Sequence, residues 1–236
     1  MLLLKSYSSI KAINKRGALL VFPVLNREEP PSLWGELFPN SKMRWKWDDA
    51  GDSRVANLWH LREELSRSQK VVYSKWYRGR ATFFSRELFR ALLALLGKTR
   101  GLSDDSSSVL DVLAEDSPLS TKVLKKGVKL QGRALEGIYH KALKPLWNRG
   151  LIVGYGEVDE GAFPSLAIGS TELLFEDLWR EGRSIKEEKA MEIIETLLKD
   201  NLFFLKEIKK QVQLLSEIKP QSKKRGTIKG RDLYRN

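Results

Sequence analysis

The stretch from residue 118 to residue 167 constrains the fold more than any other part of this chain. It contains two short helical patterns, residues 118–127 and 133–147, and then two strand-like runs within residues 150–166 that meet at an Asp-Glu-Gly tip. Two short helices joined by a turn and followed by a β-hairpin are typical of a winged helix-turn-helix. The sequence therefore predicts a winged-helix domain, for which we expect the boundaries 101–182.

Turn and capping residues support the boundaries of these helices. Ser117 can cap the first turn, and Pro118 suits the first helical position, where its missing N–H is not needed. Gly127 can adopt the positive φ that ends many helices. Pro145 lies inside the second helical pattern, so we expect a kink there or an end of the regular helix near Lys144.

The second helical pattern has one apolar face and one basic face. Its apolar positions recur at spacings of three and four, at Leu135, Ile138, Ala142 and Leu146. Its basic face carries Arg133, His140, Lys141 and Lys144. Because the second helix of a helix-turn-helix usually enters the major groove, these four residues are predicted DNA contacts. Glu136 and Gly137 on the same helix weaken any sequence-specific reading of bases.

A second basic element is predicted earlier in the chain, between residues 70 and 85. Two β-rich runs flank an Arg78-Gly79 tip, and Ser85 can then cap an apolar helix that ends at Gly97. Lys75, Arg78 and Arg80 on this hairpin extend the predicted DNA footprint. Three rings accompany these cations, at Tyr73, Trp76 and Tyr77. The sequence leaves open whether the rings stack on exposed bases or pack into the core.

The charge balance favours a polyanion as the partner. The chain has 42 Lys and Arg against 30 Asp and Glu, a net charge of +12 and a pI near 9.8. Residues 219–236 hold seven of the cations and one acid, so half of the net charge belongs to a predicted flexible basic tail. The plain alternative is a basic protein whose lysines only solvate its helices.

The sequence gives little support for a metal site, a reactive thiol or a cofactor site. The chain has no Cys and only two His, His60 and His140, which lie far apart in sequence. Asp48, Asp49 and Asp52 cluster in a Gly-containing loop, where aspartate favours local hydrogen bonding. We therefore expect no metal ion, no cofactor and no catalytic residue recognisable by motif.

The overall class predicted is mainly α with small β-hairpins (α+β), with two tandem winged-helix-like units as one arrangement. Residues 1–100 would form an N-terminal α/β domain with the basic hairpin. The pattern over residues 183–218 predicts one long helix, which either packs on the core or pairs with a second copy of the chain. No apolar run approaches the ~18 residues of a spanning helix, so we expect a cytoplasmic protein, associated with the nucleoid if it is bacterial.

A family resemblance rests on three segments of the winged-helix region. They are Val109-Leu-Asp-Val-Leu-Ala-Glu-Asp-Ser-Pro-Leu-Ser-Thr121, Tyr139-His-Lys-Ala-Leu-Lys-Pro-Leu-Trp147 and Gly150-Leu-Ile-Val-Gly154. Together they resemble the winged-helix repeats of the AlkZ/YcaQ-type alkylpurine DNA glycosylases, and residues 55–180 resemble the short AlkZ-related proteins. The resemblance implies tandem winged helices around a positively charged DNA channel.

The same family uses an early Gln-x-Asp or Gln-x-Gln motif to activate water. The first 60 residues here contain no Gln, and the Gln211-Val-Gln213 match lies in the C-terminal part of the chain. The leading hypothesis is thus a winged-helix protein that binds duplex DNA without catalysis. The alternatives are a DNA glycosylase or a sensor of damaged DNA, and a module for protein–protein contacts.

Overall fold

The computed structural model describes residues 2–44, 52–159 and 164–218, and within them two successive segments have the same order of elements. Each segment runs helix, strand, helix, helix, strand, strand. The first comprises α1 (Leu2–Arg16), β1 (Ala18–Leu20), α2 (Leu33–Leu37), α3 (Ser53–Arg67), β2 (Val71–Tyr77) and β3 (Arg80–Ser85). The second comprises α5 (Asp104–Glu115), β4 (Leu119–Ser120), α6 (Thr121–Gly127), α7 (Glu136–Asn148), β5 (Ile152–Asp159) and β6 (Pro164–Ser170), with a 3-10 turn at Arg133–Leu135 before α7.

Five further helices connect or follow these segments. The helix α4 (Arg86–Leu96) links them, and α8 (Thr171–Leu174), α9 (Glu176–Ser184), α10 (Glu187–Leu197) and α11 (Leu202–Ser216) complete the chain as described. Ser85 caps α4 by accepting a hydrogen bond from the Leu88 backbone N–H, as the sequence predicts. Within the described residues, no helix is both long and apolar enough to cross a membrane.

The fold is mixed α/β, and its strands form one six-stranded antiparallel sheet of order β1-β3-β2-β5-β6-β4. The order is symmetric about its centre, because each hairpin pairs its second strand with the short strand of its own segment. The two hairpins meet where Tyr73 of β2 lies opposite Gly154 of β5. The hairpins predicted as separate small elements are thus parts of a single sheet.

Three clusters of buried apolar side chains hold this arrangement together. One fills the first segment around Trp34, Leu58 and Phe83, and one fills the second around Leu113, Tyr139 and Leu146. The third lies under α4 and includes residues of β2, β5, α10 and α11. Each fully buried Leu or Phe contributes about 1.5–3 kcal/mol relative to an exposed one. The C-terminal helices are therefore part of the core.

Four local predictions differ from the structure: the cap at Ser117, the first helical position at Pro118, the positive φ at Gly127, which α6 includes without one, and a helix end near Lys144. The helix α6 begins at Thr121 and is capped by Ser120, while Ser117-Pro118 precedes β4 and the Ser117 hydroxyl accepts a hydrogen bond from the Ser170 backbone N–H. The helix α7 continues through Pro145 to Asn148. Because the carbonyl of Lys141 belongs to an exposed residue, water can replace the backbone bond that Pro145 lacks.

The single long helix predicted over residues 183–218 is wrong. Its pattern is divided between α10 and α11, and the chain turns between them at Leu198–Asn201. Asn201 is buried there, and its side-chain amide donates hydrogen bonds to the backbone oxygens of Arg16 and Ala18. This tertiary contact fixes the turn.

Candidate nucleic-acid interface

A cleft of about 690 Å³ lies between the β2–β3 hairpin, α7, β6 and α11. Four of the predicted DNA contacts line it, two from the hairpin and two from the helix: Lys75, Arg78, His140 and Lys144. Lys210 of α11 adds a fifth basic side chain. Residues that are more than sixty positions apart in sequence are thus brought to one site.

The hairpin tip presents its cation through a tight turn. Arg78 and Gly79 have φ values of 51° and 75°, and Tyr77 pairs with Arg80 across them, as in a type I′ turn. The Arg78 guanidinium carbon lies 5.4 Å from the centre of the Tyr77 ring, and its side chain is 70% exposed. Arg80 is exposed beside it on β3, outside the cleft lining.

The helix α7 has a buried face and a solvent face, but only Ala142 and Leu146 of the predicted apolar stripe are buried, because Ile138 is 42% exposed and Leu135 precedes the helix. Tyr139, Ala142, Leu143, Leu146 and Trp147 are buried against the second segment. The side chains of His140, Lys141 and Lys144 are exposed on the other face. His140 and Lys144 border the cleft, whereas Lys141 lies beside it on the same helix.

Part of the positive charge near α7 is already paired. The Glu136 carboxylate lies 2.6 Å from the Lys125 ammonium of α6 and 2.9 Å from Nε2 of His140. The hydrogen bond from Lys125 holds the pKa of Glu136 below its usual range, and His140 acts in the same direction. Arg133 lines a second, separate cavity with Lys122 and Lys125. Of the four predicted contacts in this segment, Arg133 therefore lies away from the main cleft.

The sequence reasoning missed a polar group on the far wall of the cleft. Glu207 is 8% exposed, and its Oε1 accepts a hydrogen bond of 2.9 Å from Gln211 Nε2. Its Oε2 lies 4.0 Å from Arg78 Nε, and Asn148 Nδ2 approaches Gln211 Oε1 at 3.5 Å. The spacing of four residues, which places Glu207 and Gln211 on one helix face, is the signal that could have found them.

The Gln211-Val-Gln213 match, by contrast, does not form a pair in the structure. Gln213 is exposed and donates a hydrogen bond to Glu217, on a different face of α11.

A buried tyrosine also contributes to the lining of the cleft. Tyr139 lines the cleft and is fully buried, and its Oη has no hydrogen-bond partner among the described residues. Burial raises the pKa of this phenol, so the group stays protonated. An unpartnered buried hydroxyl costs about 1–3 kcal/mol.

The aromatic residues of the hairpin are not a stacking surface. Tyr73, Trp76 and Tyr77 are each at most 4% exposed. Trp76 packs on Phe84 and Phe204, and its Nε1 donates a 2.7 Å hydrogen bond to the Asn148 backbone oxygen. The interpretation in which these rings pack inward is therefore the correct one, and they position the hairpin against the end of α7.

Other candidate residues lie outside the cleft or outside the described residues. Asp52 caps α3 and pairs with Arg54, and that hydrogen bond lowers the pKa of Asp52. Residues 45–51, which include Asp48 and Asp49, are not described, nor is the basic tail from residue 219. Among the residues that are described, no cluster of His, Asp or Glu could hold a metal ion.

The helix α3 occupies in the first segment the place that α7 occupies in the second. Its Arg62 is buried and forms an ion pair with Glu157 of β5, and Arg62 also donates to the Tyr73 hydroxyl. Asn57, His60 and Glu64 lie on its more open side. The basic solvent face therefore belongs to α7 and has no equivalent on α3.

Comparison with known proteins places the chain in a family. No curated protein and no solved structure matches it. A family model described as AlkZ related matches residues 4–216, which is most of the chain, and the protein therefore belongs to the AlkZ-related family.

Proposed function

We propose that this protein binds duplex DNA across the cleft, and that its two segments are tandem winged-helix-like units. The proposal on the fold is supported by the repeated order of helix, strand, helix, helix and hairpin, in residues 1–100 and again in residues 101–182. The third helix of such a unit commonly enters the major groove, and here that helix is α7 in the second unit.

The convergence of cations from two distant segments is the observation that carries the proposal. Lys75 and Arg78 extend from one wall, His140 and Lys144 from the other, and Lys141 and Arg80 continue the basic surface beside them. Lysines that only solvate a surface have no reason to converge in a concavity, since like charges repel there. A phosphate backbone would neutralise that repulsion and release counterions.

Contacts of this kind position DNA more than they read its sequence. Glu136 reduces the positive charge near His140. Its carboxylate can only accept hydrogen bonds, and few base edges in the major groove are donors. We therefore expect weak sequence preference and steep salt dependence. Arg133 lies at the second cavity and would contact phosphates away from the cleft.

A DNA glycosylase is the second candidate, and the Glu207–Gln211 pair favours it. A carboxylate and an amide 2.9 Å apart at a cleft wall can hold and activate a water molecule, as the catalytic residues of hydrolases do. A carboxylate is also unfavourable for phosphate binding, so the position of Glu207 among five basic side chains favours a role other than phosphate binding.

Fluorescence anisotropy would test both candidates with the full-length protein. The ligands are an undamaged duplex and the same duplex with a tetrahydrofuran analogue of an abasic site, each measured over a salt series. Equal affinities with steep salt dependence would support general DNA binding, and tighter binding of the abasic duplex would favour a repair function. Failure to bind either duplex at low salt would contradict both and leave a protein–protein module.

A further inference from the structure

Lys75 differs from the other cations of the cleft in how the backbone presents it. It lies where the register of β2 against β3 shifts, between Ser74 and Tyr77. Such a bulge redirects a side chain and is frequent beside active sites. The next residue, Trp76, is anchored in the core and to the backbone of Asn148, so the strand is fixed at this point.

The surroundings of Lys75 lower the pKa of its ammonium group. Although the side chain keeps contact with solvent, the protein atoms around its ammonium lower the pKa of Lys75. Repulsion from the buried Arg62 lowers this pKa further, and attraction to Glu157 opposes both effects. A lowered pKa is typical of amine nucleophiles, and the exposure of Lys75 leaves its amine within reach of a DNA sugar.

We propose that Lys75 is a nucleophile that forms an imine with the aldehyde of an abasic site in DNA and cleaves the strand there. This inference rests on the proposed DNA binding. The ring-opened sugar of an abasic site in DNA offers a free aldehyde to an amine. The cations on both walls would hold the flanking phosphates.

The reaction needs no oxidant and no added cofactor. The Lys75 nitrogen attacks C1′, and the adduct takes up a proton and loses water to give the protonated imine. Glu207, the buried carboxylate of the cleft, accepts a proton from C2′. The released electron pair forms the C2′–C3′ double bond while the C3′–O3′ bond breaks and the phosphate leaves with its electrons. Hydrolysis of the imine then returns the free lysine.

Borohydride trapping tests this step directly. The full chain is incubated with a duplex that contains one natural abasic site, sodium borohydride is added, and covalent complexes are separated on a denaturing gel. The tetrahydrofuran duplex, which has no aldehyde, is the substrate control. Variants are Lys75→Ala, Lys75→Arg, Lys210→Ala in the same cleft, and Lys70→Ala, whose exposed lysine precedes the strand outside the cleft.

The expected result is a trapped complex that falls at least tenfold in both Lys75 variants when each is normalised to the fraction of DNA bound. The Lys70→Ala protein should trap as the unchanged chain does. The inference is overturned if the unchanged protein binds the abasic duplex without trapping, or if trapping survives in Lys75→Arg. The inference is also overturned if Lys210→Ala abolishes trapping while the Lys75 variants still trap. The anisotropy experiment separately measures whether the protein binds DNA at all. If it does not bind, the proposed function itself is contradicted.

Discussion

Tyr73 of β2 lies directly opposite Gly154 of β5, and this pair joins the hairpins of the two segments in one sheet. A Cβ on Gly154 would collide with Cδ1 of the Tyr73 ring, which is itself fixed against Phe83 and by a hydrogen bond from Arg62. The junction therefore depends on a residue without a side chain.

Gly154→Ala should destabilise the fold by about 1–3 kcal/mol, because the central strands must separate to admit the methyl group. The measurement is the free energy of unfolding in urea. The matched control is Gly137→Ala, since that glycine is helical and has no atom near its added Cβ. We expect the control to stabilise α7 by up to about 1 kcal/mol, and equal effects of the two changes would refute this account of the junction.

The ion pair of Arg62 with Glu157 should behave as a buried pair, since its side chains are 7% and 9% exposed. Removing one partner, as in Glu157→Leu, should cost about 3–5 kcal/mol because it leaves an unpaired buried charge. The double change Arg62→Leu/Glu157→Leu should cost much less than the sum of the single changes. Lys189→Ala, which breaks an exposed pair with Glu192, should cost about 0.5 kcal/mol or less. Additive effects in the Arg62 and Glu157 cycle would show that the charges do not interact.

The link between Lys125 and Glu136 should make stability depend on pH. Because Lys125 lowers the pKa of Glu136 in the folded protein, the link stabilises above the ordinary carboxyl pKa of 4.5 and is lost as the pH falls through the lowered value. The difference in unfolding free energy between the unchanged protein and Glu136→Gln should therefore shrink in acid. A difference that is the same at neutral and acid pH would argue against this contact.

Local chemistry made several elements predictable from the sequence. The β2–β3 hairpin follows from an Arg-Gly tip that accepts positive φ, and α4 follows from the Ser85 cap and an apolar run. Each of these signals involves residues within a few positions of one another. The buried positions Ala142 and Leu146 of α7 were predictable for the same reason.

Contacts between distant residues explain what the sequence could not show. The turn at Asn201 depends on backbone atoms of residues 16 and 18, and the apolar spacing on either side of it suits one helix or two. The cleft likewise unites Lys75, Lys144 and Glu207, which no pattern in the chain connects. The sequence could not predict whether Trp76 is buried. The same hairpin pattern fits a ring that faces solvent and a ring that packs on Phe204, as it does here.

The repeat in the fold offers a test of which helix meets DNA. Lys141→Ala/Lys144→Ala should reduce the slope of log K against log salt by about two units, because each lysine that neutralises a phosphate adds about one unit to that slope. Arg67→Ala, which removes an exposed cation from α3, the corresponding helix of the first segment, should leave the slope unchanged. Equal effects on both helices, or an unchanged slope for the α7 variant, would remove α7 from its proposed role.

The measurement that tests the central claim most directly is the salt dependence of duplex binding for cations on opposite walls of the cleft. Arg78→Ala and Lys144→Ala should each lower the slope by about one unit, and together by about two, because one DNA contacts both walls. Lys11→Ala/Lys15→Ala, which removes the same charge from the exposed surface of α1, should leave the slope unchanged. If Arg78→Ala or Lys144→Ala has no effect, or if the α1 control lowers the slope equally, DNA does not lie across the cleft.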